Sequence, residues 1–526
     1  MSLVRNTFVQ ASFTLLSRLF GYIRDRIISN YMGAGYIGDA FATAQMFPNL
    51  FRRILAEGAF SQAFVPIYAR ATTERGKDGA EIMATEAFSM LTLVSVIITI
   101  VAQIAMPWIM LLIHTGYKDD PIAFNLAIIL TQITMPYLVG MALSSLFAGI
   151  LNTAGKFALS AAAPTLLNIS ILLAVIFTKT PEQAALNGAI AIAVAGVLQA
   201  AMLYWGCRNM GVKIAFRVPK ITPDVKLILG VMGPAVIAGS ATQINVFVSQ
   251  ALSSFEVGAK SWLYAADRLY QLPLGLVGVA IGVALLPRLA KAVANIDEKR
   301  EDIDAINESF VLSMSLTLPA AAALLCIPFF LMFGFWAGGE FKTSDAQNTA
   351  NALFHYAWGV PAFVLIRILA PPFFARQDTK SPMNFALIGV VSNVIIGACL
   401  FYFFHKNNNS GYIGLAIGTS AAAWINTILL VATLINRKWW RIDKWVVGRI
   451  TRVFLATIIM AGFLLFAGQN QDLIILWFSW AKILGKSISK ELAILVVCGL
   501  GFAVYGVAAL FTKALTISDL KALARP

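Results

Sequence analysis

Long apolar segments recur along the whole chain and are separated by short polar connections. Most of them reach roughly 20 residues, which is enough for an α-helix to cross about 30 Å of hydrocarbon. The pattern predicts about fourteen membrane-spanning helices. They are expected near residues 8–30, 38–69, 85–113, 122–152, 157–178, 184–206, 227–255, 260–292, 308–335, 348–375, 382–404, 411–435, 449–468 and 491–512. The segment LIILWFSW at 473–480 is too short to span, so Trp477 and Trp480 are expected at the membrane interface.

Composition agrees with this pattern. The 526 residues are 59% hydrophobic and 13% charged, and the mean hydropathy is +0.77. These values exclude an ordinary soluble domain and are typical of a polytopic membrane protein. Continuous apolar runs also exclude an outer-membrane β-barrel, whose strands alternate apolar and polar residues. We therefore predict an all-α fold, in which every helix satisfies its own backbone.

The net charge of +14 comes from 40 lysines and arginines against 26 acidic residues. The cations concentrate in alternate loops, most densely from Arg208 to Lys226 and from Arg437 to Arg449. Because cytoplasmic loops of membrane proteins are enriched in lysine and arginine, both termini are expected on the cytoplasmic side. The same distribution accounts for the charge without a nucleic-acid partner.

The sequence also contains an internal repeat. Three pairs of residues are separated by the same 225 positions: Pro48 and Pro273, Pro136 and Pro361, and Asn168 and Asn393. Since six helices per repeat is an even number, the two halves should share one orientation about an axis along the membrane normal. We expect an N-lobe at 1–210, a cytoplasmic linker at 211–226, a C-lobe at 227–436 and a C-terminal helix pair at 437–526. Two similar lobes around a central cavity are typical of a transporter.

Charged residues interrupt the apolar segments at a few places. Such residues are costly in hydrocarbon and usually face a cavity, a partner or a substrate. The first two spans and the eighth span carry most of them: Arg18, Arg24, Asp39, Arg52, Arg53, Glu57, Asp267 and Arg268. Arginine exceeds carboxylate in this set, and lysine does not occur in it. The pattern predicts a cationic cavity.

The chemistry of this cavity follows from the guanidinium group. Arginine presents a planar fork of donors that pairs with two phosphate oxygens at once, so a phosphate or pyrophosphate is the simplest ligand. We predict that Arg18, Arg24, Arg52 and Arg268 bind it. Asp39, Glu57 and Asp267 are expected to orient arginines, and Arg53 and Glu57 can share a helix face. The alternative is that these residues form structural charge pairs between helices.

Other chemistries find little support in the sequence. The four cysteines and three histidines are scattered, so neither a metal site nor a disulfide framework is expected. No G-x-x-x-x-G-K-[ST] loop occurs, which argues against direct use of ATP. The first apolar segment lacks an A-x-A-like cleavage site and is expected to remain as the first helix.

Several segments resemble those of the MurJ (MviN) flippase family, which belongs to the multidrug/oligosaccharidyl-lipid/polysaccharide exporter superfamily. They are SRLFGYIRDRIISNYMGAG, NLFRRILAEGAFSQAFVP, ILNTAGKFALSAAAPTLLNI, SWLYAADRLYQLPLGLVGVAIGVALLPRLAK and RQDTKSP. The resemblance extends over nearly the whole chain. It implies two six-helix lobes plus two C-terminal helices that form a groove for a polyprenyl tail.

The resemblance implies export of lipid II, the undecaprenyl-pyrophosphate-linked peptidoglycan precursor, across the bacterial inner membrane. It assigns pyrophosphate binding to Arg18, Arg24, Arg52 and Arg268, and a functional role to Asp39, Glu57 and Asp267. No cofactor is expected. Coupling to sodium or to the membrane potential is discussed for the family, and Asn393 and Asp378 are candidates for an ion site.

Three alternatives to lipid II export remain open at this point. Two lie within the superfamily, namely a flippase for another polyprenyl-linked oligosaccharide and a drug antiporter. A cation-exporting antiporter should have a cavity dominated by carboxylates, whereas this one is dominated by arginines. The third alternative is a membrane-embedded glycosyltransferase, which usually needs a catalytic carboxylate in a substantial extracytoplasmic loop. Expected partners are lipid II, membrane lipids and other peptidoglycan-synthesis proteins.

Overall fold

The computed structural model describes residues 3–51, 60–275, 289, 299–408, 410–483 and 486–514. Helices account for nearly all of this part of the chain, and the strands within it form a single small hairpin. Ten of the described helical segments are long and apolar enough to cross a membrane. The all-α multi-pass fold is therefore confirmed, whereas the number of fourteen spans stays a prediction.

The chain divides into two compact units. The first comprises Met1–Ser261 and Gly338–Phe341, and the second comprises Trp262–Ala337 and Lys342–Pro526. The lobe boundaries expected from the repeat stay a prediction.

The first unit is a bundle of long helices. In chain order they are α1 (Leu3–Met32), α2 (Tyr36–Phe51), α3 (Ser61–Ile113), a 3-10 turn (Thr115–Tyr117), α4 (Pro121–Thr134), α5 (Tyr137–Thr153), α6 (Phe157–Val175), α7 (Pro181–Asn209) and α8 (Pro223–Ser253). Helix α3 is kinked at Gly76, which has a φ of 67°. Helices α4, α7 and α8 begin in the same way, because a capping side chain (Asp120, Thr180 or Thr222) precedes a proline in the first turn. Proline suits that position because its missing N–H has no partner to lose there.

A break separates α4 from α5 at Pro136. Proline has no N–H, so the carbonyl of Gln132 loses its helical partner. That carbonyl instead accepts a hydrogen bond from Nε2 of Gln103 on α3 at 2.9 Å, and Nε2 of Gln132 donates to the Gln103 carbonyl at 2.8 Å. The reciprocal pair satisfies groups that lipid could not, so the expected span at 122–152 holds together despite its kink.

Close helix packing builds the interior of the first unit. Helices α5 and α7 approach so closely that a Cβ on Gly140 would lie 2.3 Å from the carbonyl carbon of Gly196. Larger side chains fill two apolar clusters. One contains Phe41, Phe47, Met106, Met110, Leu130 and Ile171, and the other contains Phe64, Met83, Leu146, Phe147, Ile150 and Leu203.

The segment between α7 and α8 crosses the first unit as an extended strap, residues 212–222. Val212 and Ile214 are buried, the amide of Arg217 donates to Ser89 Oγ at 2.9 Å, and the hydroxyl of Thr222 donates to Glu86 at 2.6 Å. The linker predicted at 211–226, whose last residues lie in α8, stays a prediction.

The second unit contains the rest of α9 and the helices that follow it. These are α9 (Ala259–Pro273, which begins in the first unit), α10 (Lys299–Cys326), α11 (Pro328–Phe335), α12 (Thr343–Ala357), α13 (Val360–Leu369), α14 (Pro371–Ala375), α15 (Lys380–Asn408), α16 (Gly411–Asn436), α17 (Lys444–Gln469), α18 (Gln471–Trp477) and α19 (Ser489–Phe511). The strands β1 (Lys482–Ile483) and β2 (Lys486–Ser487) form an antiparallel hairpin before α19.

Helices α12 and α13 are separated by a break at Trp358 and Gly359, just before Pro361, the repeat partner of Pro136. Side chains of α16 supply donors to carbonyls at the break. Ser420 Oγ donates to the carbonyl of His355 at 2.7 Å, and Trp424 Nε1 donates to the carbonyl of Trp358 at 2.9 Å. Both units therefore break a helix at the matched proline, and both satisfy the freed backbone with side chains from a neighbouring helix.

The core of the second unit surrounds Trp440, whose Nε1 donates to Asn307 Oδ1 at 2.8 Å. Other members of this cluster are Ile306, Met314, Val364, Ile368, Phe373, Leu430 and Leu434. The predicted interfacial segment is the short helix α18 and the residues after it. The residues Trp477 and Trp480 are 66% and 73% exposed, and their place at the membrane interface stays a prediction.

The α5–α7 approach gives a stability prediction. Gly140→Ala places a methyl group against the α7 backbone, which cannot move aside as a flexible side chain could, and we expect a loss of about 1–3 kcal/mol of stability. The matched control is Gly462→Ala in α17, where nothing lies within 4 Å of the added Cβ. Thermal denaturation of the purified proteins in detergent should show a lower Tm for Gly140→Ala alone. Equal Tm values for both variants would contradict the close approach.

Candidate functional site

Arg24 lies buried in the first unit among polar partners. The side chains of Arg24 and Asp25 are only 6% and 4% exposed. Nε and Nη2 of Arg24 donate to Asp25 Oδ1 at 2.9 and 2.5 Å, and Nη1 donates to Asn168 Oδ1 at 2.9 Å. The amide of Asn168 in turn donates to the carbonyl of Ser17 at 2.9 Å. The guanidinium is thus held in one orientation by α1 and α6.

Asp25 and Asn168 were not among the predicted site residues. Asp25 could have been identified from the sequence as a charged residue next to Arg24. Asn168 is distinguished in the sequence only as a matched position of the repeat. The burial of this ion pair removes two charges from solvent, and the additional hydrogen bond from Asn168 partly offsets that cost.

Arg18 lies one and a half to two turns before Arg24 on α1, and its residue is exposed within the structure of the chain. The structure therefore places these two arginines in different environments. Arg24 has a fixed set of partners, whereas Arg18 is accessible.

Arg268 and Asp267 lie on α9 within the second unit. Nη2 of Arg268 donates to the hydroxyl of Tyr264 at 2.6 Å, and its guanidinium carbon lies 4.7 Å from the centre of the Tyr264 ring. Asp267 accepts a hydrogen bond from Nε2 of Gln271. Arg367, another arginine of this unit, donates to the carbonyl of Leu274 at 3.5 Å.

Three of the predicted site residues, Arg52, Arg53 and Glu57, lie outside the described residues. The gathering of Arg18, Arg24, Arg52 and Arg268 around one ligand therefore stays a prediction.

Asp39 is fully buried on α2, and its carboxylate accepts four hydrogen bonds. Oδ2 accepts from the hydroxyl of Tyr117 at 2.7 Å and from the amide of Gly258 at 2.8 Å. Oδ1 accepts from the amide and the hydroxyl of Ser261 at 2.9 and 2.8 Å. An arginine is not among these four donors, so the geometry differs from the expectation that Asp39 orients one. The carboxylate instead caps the first turn of α9, where exposed amides favour a negative charge.

A buried lysine lies close to Asp39. It is not among the predicted site residues, whose cations are all arginines. Lys260 is 1% exposed, and its Nζ contacts Thr43 Oγ1, the carbonyl of Ile113 and His114 Nδ1 at 3.0, 2.9 and 2.7 Å. Its position directly before an apolar segment, between Glu256 and Asp267, was the only signal in the sequence. Nothing in the sequence marks His114 as a site residue, because an isolated histidine belongs to no recognisable motif.

The two candidates for a coupling-ion site have different surroundings. Asp378, in the loop between α14 and α15, accepts hydrogen bonds from the hydroxyl and amide of Ser381 at 2.6 and 3.0 Å and from Arg437 at 2.5 Å. The bonds from Ser381, followed by the Arg437 guanidinium, lower the pKa of the Asp378 carboxyl to about 2. Asn393 is buried on α15, close to Gly418 of α16. Asp378 thus forms an ion pair in a loop, and Asn393 lies at a contact between two helices. Ion binding at either residue stays a prediction.

No group of three or more histidine, cysteine, aspartate or glutamate side chains with metal-site geometry occurs in the part of the chain that the structure describes.

Comparisons with known proteins identify the family of this chain. Residues 28–483 match the family model described as MurJ, lipid II flippase MurJ. A probable lipid II flippase MurJ of Rhizobium meliloti (strain 1021) is 40% identical over 472 residues, which cover 88% of this chain and 86% of that protein. A probable lipid II flippase MurJ of Vibrio cholerae is 32% identical over 537 residues, which cover 99% of this chain and 98% of that protein.

Solved structures with the same fold include one described as lipid II flippase MurJ in an inward closed conformation. It has a TM-score of 0.76 and 23% identity, and the match covers 96% of this chain and 99% of that one. An inward-facing multidrug resistance transporter of the MATE family has a TM-score of 0.62 and 16% identity, with 85% of this chain and 98% of that one covered. These likenesses show that the chain shares the fold of these two structures.

The Arg24 cluster gives a second stability prediction. Asn168→Ala removes an acceptor from Arg24 and a donor from the Ser17 carbonyl, and we expect a loss of about 1–3 kcal/mol because Arg24 stays buried without one of its acceptors. Asn187→Ala on α7 is the control, since Asn187 is exposed and its amide lies 3.5 Å from the Ala174 carbonyl. Thermal denaturation should separate the two variants, and an unchanged Tm for Asn168→Ala would show that Asn168 does not hold Arg24.

Proposed function

Because the chain belongs to the lipid II flippase MurJ family, we propose that it moves lipid II from the cytoplasmic to the periplasmic leaflet of the bacterial inner membrane. The observation that carries this proposal is the family match over residues 28–483, together with 40% identity to a curated relative across most of both chains. The activity serves peptidoglycan biosynthesis, and so cell-wall assembly and cell shape.

The physical requirement for such a protein is plain. Lipid II carries a charged pyrophosphate and a sugar-peptide headgroup, and moving these groups through hydrocarbon without partners costs far more than thermal energy supplies. A flippase must replace the water around the headgroup with protein groups while the polyprenyl tail stays in lipid.

In our proposal the pyrophosphate binds to arginines. Arg18 is accessible, and Arg268 lies on α9 with its guanidinium over the ring of Tyr264. Arg24 is oriented by Asp25 and Asn168, so a phosphate oxygen would take the place of one of these acceptors. Arginine suits the role because its charge is permanent and its donor fork fits two oxygens of a phosphate. Arg52 belongs to the same proposed set, with Asp39, Arg53, Glu57 and Asp267 as supporting charges.

The proposed mechanism is alternating access between an N-lobe at 1–210 and a C-lobe at 227–436, joined by the linker at 211–226. Helices α17 and α19 belong to the C-terminal segment at 437–526 and are proposed to guide the polyprenyl tail. Both termini are proposed to be cytoplasmic, as the basic loops indicate. The membrane potential or a cation could drive the cycle, and other peptidoglycan-synthesis proteins are further proposed partners.

Two alternatives share the fold. A flippase for another polyprenyl-linked oligosaccharide would use the same pyrophosphate chemistry, so only the sugar specificity would differ. A drug antiporter is less consistent with a set of sites rich in arginine, since cationic drugs are repelled by guanidinium groups. A membrane-embedded glycosyltransferase is a third alternative, with less support from a chain whose relatives are named flippases.

Transport in proteoliposomes tests the proposal. Arg18→Ala, Arg24→Ala and Arg268→Ala should each slow lipid II translocation by about tenfold or more, because a charge-assisted hydrogen bond contributes about 1.5–3 kcal/mol and 1.4 kcal/mol is a factor of ten. Arg70→Ala is the control, since Arg70 is exposed and pairs only with Glu74 among the described residues at 2.7 Å. Each variant is first shown to be folded by its elution profile and Tm.

The same vesicles separate the alternatives. The wild type should translocate lipid II faster than another undecaprenyl-pyrophosphate oligosaccharide, and a cationic drug should not be transported. Equal rates for the arginine variants and the wild type would contradict pyrophosphate binding by these residues. Absence of lipid II transport by folded wild type would contradict the function itself.

A further inference from the structure

The buried ammonium of Lys260 has a complete set of acceptors. An ammonium group carries three N–H donors and no acceptor. Nζ of Lys260 lies 3.0 Å from Thr43 Oγ1, 2.9 Å from the carbonyl of Ile113 and 2.7 Å from His114 Nδ1. The three donors therefore match three acceptors, and one of those acceptors is itself a base.

As long as Lys260 is protonated, its contact with His114 fixes the protonation state of the imidazole ring. Nδ1 can lie 2.7 Å from an ammonium nitrogen only if it accepts a hydrogen bond, so it carries no proton of its own. The ring proton must then be on Nε2, which is buried and has no hydrogen-bond partner among the described residues. A proton on Nδ1 as well would bring two cations together in a buried site, and the hydrogen bond between them would be lost.

His114 and Lys260 are joined to Asp39 by two bridging residues. The ring of His114 stacks on Tyr117 with 4.5 Å between the ring centres, and the Tyr117 hydroxyl donates to Asp39. Thr43 accepts from Lys260 and donates to the backbone carbonyl of Asp39 at 2.9 Å. All five residues belong to the first unit, so the cluster is formed within one compact body.

Charged residues near His114 lie on three of the neighbouring helices. Asp39 is on α2, Lys260 is at the start of α9, and Asp120 at the start of α4 acts electrostatically on Tyr117. With His114 neutral, Lys260 and Asp39 give the buried cluster one cation and one anion. Protonation of His114 would add an uncompensated positive charge.

We propose that His114 and Lys260 form a proton-responsive site that holds one positive charge while the cluster is assembled and takes up a second proton only when the cluster breaks. The proton would bind Nδ1 of His114, and Lys260 would keep its own. The site itself does not depend on the proposed function, but its effect on transport rests on it.

The direction of the pH effect follows because the assembled cluster excludes the second proton. An imidazole in water titrates near pH 6.5. Whenever the cluster opens to water below that pH, His114 becomes protonated, and reassembly must first release the proton. Acid therefore weakens assembly progressively below about pH 6.5, whereas above that pH assembly requires no proton release.

Nitrogen NMR of labelled histidine tests the site directly. The chain has only three histidines, so His355→Gln with His405→Gln leaves His114 as the single reporter in full-length protein in nanodiscs. We expect a neutral ring with the proton on Nε2 at pH 7.5, and the same signal at pH 6. A ring protonated on Nδ1 at pH 7.5, in either the neutral or the cationic form, would overturn the proposal. This readout requires no substitution at His114 or Lys260.

Transport supplies the second arm. His114→Asn keeps an acceptor for Lys260 but cannot take up a proton in this range. Acidification of the periplasmic side from pH 7.5 to 5.5 should slow wild-type lipid II transport by up to about tenfold, since an imidazole is about ten parts protonated to one at one unit below its pKa. The rate of His114→Asn should change much less.

The two arms distinguish the possible failures. If the wild type does not transport lipid II, the proposed function fails while the NMR result still decides the site. If transport occurs with the same pH profile in the wild type and in His114→Asn, the proton-responsive role is overturned.

Discussion

The structure depends on one constraint: hydrocarbon supplies no hydrogen bonds, so a polar group inside the membrane must find its partner within the protein. The helix breaks show this clearly. Gln103 and Gln132 exchange hydrogen bonds beside Pro136, and Ser420 and Trp424 supply donors beside the break that precedes Pro361. Each unit can therefore bend a spanning helix without leaving a carbonyl exposed to lipid.

Buried charges obey the same constraint at a higher cost. Arg24 is enclosed by Asp25 and Asn168, Asp39 accepts four hydrogen bonds, and Lys260 Nζ contacts three polar groups. Apolar side chains of similar size would often stabilise such sites better, so the charges are more readily explained by function than by stability. A transporter that carries a pyrophosphate needs fixed cations, and fixed cations in turn need partners that hold them until the substrate arrives.

Hydropathy was enough to predict the ten apolar helices of spanning length that the structure describes, because the length of a spanning segment is set by the membrane and not by its neighbours. Pro136 and Pro361, a matched pair of the internal repeat, lie at the breaks in two spans. Partnerships between distant residues were not accessible in this way. Asp39 was expected to orient an arginine, but it caps residues 258–261, which lie more than two hundred positions away in the sequence. Lys260 and His114 form a pair only because α3 ends beside the start of α9. The described residues do not test the roles predicted for Arg52, Arg53 and Glu57.

The central claim is that this chain carries lipid II across the inner membrane. The most direct measurement replaces the lipid II flippase of a bacterium with this chain and follows the amount of lipid II in the outer leaflet, using a membrane-impermeant enzyme that cleaves it. Our account predicts that lipid II reaches the outer leaflet and that cell-wall synthesis continues after the host flippase is depleted. If the chain is inserted at normal levels and lipid II still accumulates in the inner leaflet, the account is contradicted.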